Sequence, residues 1–263
     1  MIIATSSGRV GIEEAGHGIP VLMLHGFTAD RSMWAAQLAA APAGARLIAV
    51  DLPSVGESEA AGAPSLDAWA DWVIEVLDAL TIKQAVICGL SMGGYLAFAL
   101  WRRHPTRISG LILADTRAGA DSDEGRLNRV KMQGLALASG PDAIAEAMLP
   151  GIIGKTTRDS RPQVVAYLDA MMRRNSVGAL HDALDAMRTR PDSTPTMATI
   201  TVPTLVICGE EDTLTPVKEA EAMTAGIPDS QLAIIPSAGH MSPVEHPAAF
   251  NALLSSFIRA RFS

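Results

Sequence analysis

Cysteine, aromatic side chains and basic stripes are all scarce in this chain. Two cysteines, Cys88 and Cys208, occur in 263 residues, and each ends an apolar stretch. Buried thiols are therefore expected rather than a disulfide, which fits a reducing, cytoplasmic setting. The net charge is −7 and no cationic stripe runs along the chain. Nucleic acid and anionic membrane surfaces are excluded as expected partners. No apolar run approaches the ~18 residues of a membrane span. Met1-Ile2-Ile3-Ala4-Thr5 lacks the charged and apolar regions of a signal peptide. No H-E-x-x-H, no Cys pairs and no tight His/Asp cluster occur. With no phosphate loop or dinucleotide fingerprint either, no metal and no cofactor are expected.

Apolar residues are plentiful, at 48%, enough for a large core. The length suits one domain with a large insertion, or one and a half domains. Ile2 to Gly16 reads as a hairpin around Ser6-Ser7-Gly8. Pro20–His25, Arg46–Asp51, Ala85–Leu90, Ile108–Ala114, Pro203–Cys208 and Gln231–Ile235 are near-continuous apolar runs. Such runs suit strands buried on both faces, and their alternation with helices predicts a parallel sheet. Ser32 is the expected cap of a helix carrying Trp34 and Leu38. A second helix starts at Ser65, with Leu66, Trp69, Val73, Val76, Leu77 and Leu80 on one face. Thr215-Pro216 reads as an N-cap followed by proline at the first helical position. The last helix is predicted over 246–261.

Between 116 and 200 no strand pattern appears. Helical periodicity is found near 122–139, 141–149, 161–174 and 176–188, and six of the twelve methionines lie in this segment. A helical cap inserted after the sixth strand is predicted over 116–200, leaving 1–115 and 201–263 as the core domain.

The most informative stretch is Gly89-Leu90-Ser91-Met92-Gly93, a G-x-S-x-G between an apolar strand and an Ala-containing helix. A strand turning directly into a helix strains the corner residue and lifts its hydroxyl above the sheet edge, at a helix N-terminus. Gly89 and Gly93 allow the close approach this bend needs. A serine hydroxyl needs a base in reach, and the base needs a group to fix its tautomer. His240 in Ala238-Gly239-His240 and Asp212 in Gly209-Glu210-Glu211-Asp212 both follow strands, so the three can converge on one sheet edge. Glu210, Glu211 and Asp115 compete with Asp212 for the acid, Asp115 because it also follows a strand. His25 reads as a loop-holding residue. His246 reads as helix surface or cap, and His17, His104 and His181 as structural or solvated.

These motifs resemble those of the α/β-hydrolases, and the match covers nearly all of the chain outside the cap. His25-Gly26-Phe27 resembles that family's oxyanion loop, Gly89–Gly93 its nucleophile elbow, and Asp212 and His240 its acid and base. The resemblance implies a mostly parallel eight-stranded sheet flanked by helices. It also implies an oxyanion hole made by the backbone N–H groups of Phe27 and Met92. Serine at the elbow argues against the branches that use a carboxylate nucleophile. Within the superfamily the chain is most similar to bacterial carboxylesterases and lactone hydrolases, including the 3-oxoadipate enol-lactonase group. Family sheet order places one strand between those of the two cysteines. Two strand spacings of ~4.8 Å exceed the roughly 7 Å Cα limit of a disulfide.

The expected activity is hydrolysis of esters or lactones of small to medium acyl groups through an acyl-serine. A carbon–carbon hydrolase, a cofactor-free perhydrolase or a ligand receptor on the same fold are the alternatives. Met148, Leu149 and Met241 are the expected substrate contacts, though most cap methionines are expected to fill core. Ser54 departs from the glycine or arginine common in its loop, which would bear on substrate choice. A monomer or homodimer is expected.

Overall fold

The computed structural model describes residues 1–262. In chain order its elements begin with strands β1 (Ile2–Thr5), β2 (Gly8–Gly16) and β3 (Ile19–Leu24), then α1 (Ala35–Ala39), β4 (Ala45–Val50) and α2 (Leu66–Ala79). Strand β5 (Ala85–Leu90), α3 (Met92–Arg103) and β6 (Ile108–Ala114) follow. A helices-only stretch comes next, α4 (Asp123–Ile152), α5 (Lys155–Ser160), α6 (Pro162–Arg173), α7 (Val177–Arg188) and α8 (Thr194–Met197). The chain closes with β7 (Thr204–Gly209), α9 (Val217–Gly226), β8 (Ser230–Ile235), α10 (Ser242–Glu245) and α11 (Pro247–Phe262).

The eight strands form one sheet in the order β1-β2-β4-β3-β5-β6-β7-β8. β1 and β2 pair antiparallel, as does β2 with β4, and every later pairing is parallel. The apolar runs explain the layers. Successive strand side chains point to opposite faces, and here both faces are covered. Leu22, Leu24, Ile48, Val50, Ile87 and Leu113 join one cluster with Trp69, Leu96 and Phe98. Their sequence neighbours Val21, Met23, Leu47, Ala49, Val86 and Ile112 join the other, with Trp34, Phe250 and Phe257. Truncating a fully buried Leu such as Leu22 to Ala would cost about 2–5 kcal/mol. Cys88 and Cys208 are buried free thiols on β5 and β7, with β6 between them.

Several local expectations are corrected. Asp30, not Ser32, caps the first turn, its side chain accepting from the Ser32 N–H at 2.8 Å. Pro216 occupies the N-cap position of α9 rather than its first turn, and the Thr215 hydroxyl donates instead to Asp212 Oδ2. Ser65 does cap α2, accepting from Ala68 N–H. Helix α4 is interrupted at Gly140, whose φ of 76° leaves the helical region just before Pro141. The short helices α5 and α8 lack the length for a legible period. Among the described residues, no helix is long and apolar enough to cross a membrane.

Register brings the carboxyl ends of the parallel strands together. Leu24 is level with Val50 and Gly89, Leu90 with Ala114, Ala114 with Ile207, and Gly209 with Ile235. The loops beginning at His25, Ser91, Asp115, Glu210 and Pro236 therefore share one edge.

Candidate active site

Ser91 sits at the corner between β5 and α3 with φ 53° and ψ −110°. That conformation costs a non-glycine residue on the order of 1–3 kcal/mol, so its surroundings must enforce it. A Cβ on Gly89 would strike the Gly93 carbonyl, and one on Gly93 would strike the Leu24 carbonyl. The backbone of Ser91 is pinned from both sides. Its N–H donates to Ala114 O at 2.9 Å, and its carbonyl accepts from Thr116 Oγ1 at 2.8 Å.

The side chains of Ser91, His240 and Asp212 form one hydrogen-bond chain. Ser91 Oγ lies 2.8 Å from His240 Nε2, and His240 Nδ1 lies 2.8 Å from Asp212 Oδ2. The Asp212 carboxylate is held from behind. Oδ1 accepts from the N–H groups of Leu214 and Thr215 at 2.8 and 3.0 Å, and Oδ2 accepts from Thr215 Oγ1 at 2.7 Å. Thr215 was not expected to do this, and its only sequence signal is its position three residues after an aspartate in a turn. With Oδ2 accepting, Nδ1 carries the ring proton and Nε2 is left to accept from Ser91.

Burial opposes the charged form of both His240 and Asp212. In each case the partner outweighs it. The Asp212 carboxylate and its hydrogen bond raise the His240 pKa above the usual imidazole value. The His240 charge and the donated bonds lower that of Asp212. The competing acids are elsewhere engaged. Glu211 accepts from Thr156 N–H at 2.7 Å and Glu210 from Ser237 N–H at 3.0 Å. Asp115 accepts from Gly209 N–H at 2.8 Å, is hydrogen-bonded to Ser242 Oγ and does not bond the imidazole. Burial, reinforced by Asp212, pushes its carboxyl up to about 8.

His25 holds its loop. Its Nε2 accepts from Leu52 N–H at 3.0 Å and its Nδ1 donates to Gly26 O at 2.9 Å. Burial lowers its pKa, which suits the neutral ring those two bonds require. The turn then places Phe27 beside Ser91 on the wall of a shared cavity. The Met92 N–H is the first of α3 and has no intrahelical acceptor. Among the described residues, no acceptor pairs with the Phe27 N–H either. His246 Nε2 lies 3.1 Å from Ser237 O, and His104 pairs with Asp71.

The cavity over Ser91 has a volume of about 410 Å³. Its roof is apolar, with Met132 and Met148 from α4 and Leu184 and Met187 from α7, and Met241 lines it near His240. Leu149 does not line it. One position along α4 from Met148, it turns away from the cavity and packs on the core cluster of Trp34 and Phe250. Ser54 does not line it either, because its hydroxyl donates to Asp182 Oδ2 at 2.8 Å and so ties its loop to α7. Of the six methionines in 116–200, Met132, Met148 and Met187 line the cavity, while Met171, Met172 and Met197 fill core.

One end of the cavity is polar, lined by Tyr95, Asn128, Arg129 and Asp121. Asp121 receives Arg117, Arg129 and Arg190 at 2.7, 3.1 and 2.9 Å, so three guanidiniums share one carboxylate. Burial alone would raise the Asp121 pKa, but Arg129 and Arg190 hold it down to about 2. The Arg190 guanidinium also stacks over Tyr95, 4.0 Å from the ring centre. Arg117, Asp121 and Arg129 are close in the chain, but Arg190 joins them from 69 positions beyond Asp121, so no sequence pattern marked the group.

The helices are latched to the loops beneath. His240 N–H donates to Ile152 O at 3.0 Å, and Gly154 N–H donates to Glu245 Oε2 at 3.0 Å. Asp115, Cys208 and Asp212 lie close enough to suggest a metal cluster. The two carboxyl groups already serve the bonds described above, and Cys208 Sγ lies 3.3 Å from Gly209 O and 3.5 Å from Thr215 O. Burial also keeps the Cys208 thiol well above its usual pKa, so it is not an available thiolate.

A family model described as alpha/beta hydrolase fold matches residues 19–247. The 3-oxoadipate enol-lactonase 2 of Acinetobacter baylyi is 31% identical, over 84% of this chain and 81% of its own. The 2-hydroxymuconate semialdehyde hydrolase of a Pseudomonas species is 29% identical over 95% and 90%. Among solved structures, a thermophilic esterase from Thermogutta terrifontis is 36% identical with a TM-score of 0.94, over 100% of this chain and 99% of that one.

Proposed function

The chain belongs to the alpha/beta hydrolase family, and on that premise we propose that it is a serine hydrolase of carboxylic esters or lactones. The observation that carries this reading is the unbroken hydrogen-bond chain from Ser91 Oγ through His240 to Asp212.

Ser91 Oγ attacks the acyl carbon while His240 Nε2 takes its proton. Asp212 keeps the proton on Nδ1 and offsets the charge of the imidazolium that forms. The carbonyl oxygen, now an oxyanion, accepts from the N–H groups of Phe27 and Met92, each worth about 10²–10³-fold in rate. Collapse breaks the acyl–oxygen bond, and His240 returns its proton to the departing alkoxide. The acyl-Ser91 ester is then attacked by water, deprotonated by His240, and the acid is released.

Residues 116–200 act in this reading as a cap that shapes substrate choice. Met132, Met148, Leu184 and Met187 suit a small to medium acyl or alcohol group. The Arg129 guanidinium on the cavity wall suits a carboxylate on the far end of the substrate. The experiment is a hydrolysis panel on the purified protein, of esters, lactones and vinylogous diketones, each in neutral and carboxylate-bearing forms. Turnover of esters or lactones is the expected result. A second reading, carbon–carbon hydrolysis by the same three groups, draws support from the Pseudomonas relative. Turnover of the diketones alone would favour it.

A further inference from the structure

Three consecutive residues at the end of β6 touch the loops that carry the nucleophile, the base and the acid of the proposed mechanism. Ala114 O accepts from Ser91 N–H at 2.9 Å, and Thr116 Oγ1 donates to Ser91 O at 2.8 Å. Between them, Asp115 Oδ1 accepts from the N–H of Gly209, three residues before Asp212, at 2.8 Å. Its Oδ2 is hydrogen-bonded to the hydroxyl of Ser242, two residues after His240. The Asp115 N–H donates to Ile207 O at 2.9 Å, fastening the same residue to β7. Asp115 is fully buried, and its φ is 45°. A buried carboxyl group and a left-handed backbone at a non-glycine residue are both costly. Here the two coincide where the loops converge.

We propose that Asp115 is a positioning residue for the reaction. Its carboxyl group ties the loop of Asp212 to the loop of His240 while its neighbours hold Ser91, so the end of β6 sets the spacing of nucleophile, base and acid. The inference rests on the serine-hydrolase reading above.

The chemistry of the clamp decides which substitutions report on it. The titratable groups facing Asp115 are Cys208 from β7, Asp212 from the following loop and His240 from the loop after β8. With its carboxyl pushed up to about 8 by burial and then by Asp212, Asp115 is mainly neutral at pH 7. A neutral carboxyl fits both partners. Its carbonyl oxygen accepts from Gly209 N–H, and its hydroxyl donates to Ser242 Oγ. When it ionises, Ser242 donates instead, and the tie persists. Asparagine reproduces the neutral form, with Oδ1 accepting and Nδ2 donating. Alanine removes both arms.

The test compares kcat, KM and the rate of fluorophosphonate labelling for wild type, Asp115→Asn, Asp115→Ala and Ser242→Ala. Measurements are made at pH 7 and well below each variant's melting temperature. Asp115→Ala should lower kcat by about 10²-fold, the scale of a 1 Å misplacement of reacting groups. KM should stay unchanged, and labelling should slow in proportion. Asp115→Asn should restore most of the loss. A folded Asp115→Ala protein with wild-type kcat overturns the proposal, as does an Asp115→Asn variant as slow as Asp115→Ala. If Asp115→Ala does not fold, Ser242→Ala decides. Loss of kcat at constant KM supports the clamp, and unchanged kcat overturns it. Failure of wild type itself to hydrolyse or label marks failure of the serine-hydrolase reading, and the clamp falls with it.

Discussion

Ser91 Oγ and His240 Nε2 lie 2.8 Å apart although 149 positions separate them in sequence. The contact needs the strained elbow at one end and the Ile152 latch on His240 N–H at the other. If it activates the hydroxyl, a fluorophosphonate probe labels the protein once, on the peptide containing Ser91. Ser91→Ala abolishes labelling and lowers kcat by about 10⁶-fold, the scale for loss of a triad nucleophile. Labelling that survives the substitution would place the nucleophile elsewhere.

The labelling rate also reports the base. His240 must be neutral to accept the proton, so the rate falls as pH drops through its pKa. Burial presses that pKa down, but Asp212 and its hydrogen bond raise it further, to a net value above the ordinary imidazole. The acid limb of the rate profile should therefore lie above pH ~6.5. A limb below that value would mean that desolvation outweighs Asp212.

Asp212 and Asp115 both follow strands, but only Asp212 bonds the imidazole. Asp212→Asn is expected to lower kcat by about 10⁴-fold, as loss of the correct tautomer does in triads. Asp115→Asn should be mild at neutral pH. The reverse ranking in steady-state kinetics would move the acid to the end of β6.

How far these positions could be read in advance follows from what fixes each one. The central strands were legible because both sheet faces are buried, so Val21-Leu22-Met23-Leu24 is apolar throughout. The elbow was legible because any Cβ at Gly89 or Gly93 collides with backbone, a constraint that leaves a local mark. Asp212 against Asp115 was not decidable locally, because the difference lies in which carboxylate reaches a ring on another loop. Met148 and Leu149 are adjacent, yet a helix turns ~100° between them, so Met148 reaches the cavity while Leu149 packs on the cluster of Trp34 and Phe250. Arg117 and Arg129 lie near Asp121 in the chain, but Arg190, just beyond α7, joins them only when α4 and α7 pack.

Asp115 also predicts a stability effect with a definite sign. Its folded-state pKa, about 8, exceeds the ordinary 3.8, so the folded protein binds this proton more tightly than the unfolded chain. Wherever the native state holds more protons, stability falls as pH rises. The wild-type protein should lose stability through this group between about pH 4 and 8, and little further above that. Asp115→Asn cannot ionise. Its melting temperature relative to wild type should therefore rise across that window and then level off. Thermal melts at unit pH intervals check this, and a difference that does not vary with pH would mean that Asp115 is not held neutral by the fold.

The cavity offers two kinds of wall, and they predict different kinds of selectivity. The apolar roof can grade chain length only weakly, because one methylene in such a pocket is worth ~1–3 kcal/mol. Met148→Ala should widen the accepted acyl range while Ser91 labelling persists, whereas Leu149→Ala, which packs on the core away from the cavity, should cost stability and leave the acyl profile unchanged. The Arg129 end should discriminate more sharply. Its guanidinium shares Asp121 with Arg117 and Arg190, so one carboxylate answers three cations. A hydrogen bond to a charged group is worth about 1.5–3 kcal/mol. Arg129→Gln should thus lower kcat/KM for the monomethyl ester of a dicarboxylic acid by roughly 10- to 100-fold, and that for a neutral ester of equal length far less. Salt should weaken the preference in wild type more than in the variant, since the charge that is screened belongs to Arg129. Equal losses on both esters would assign Arg129 to holding α4 in place rather than to reading the substrate.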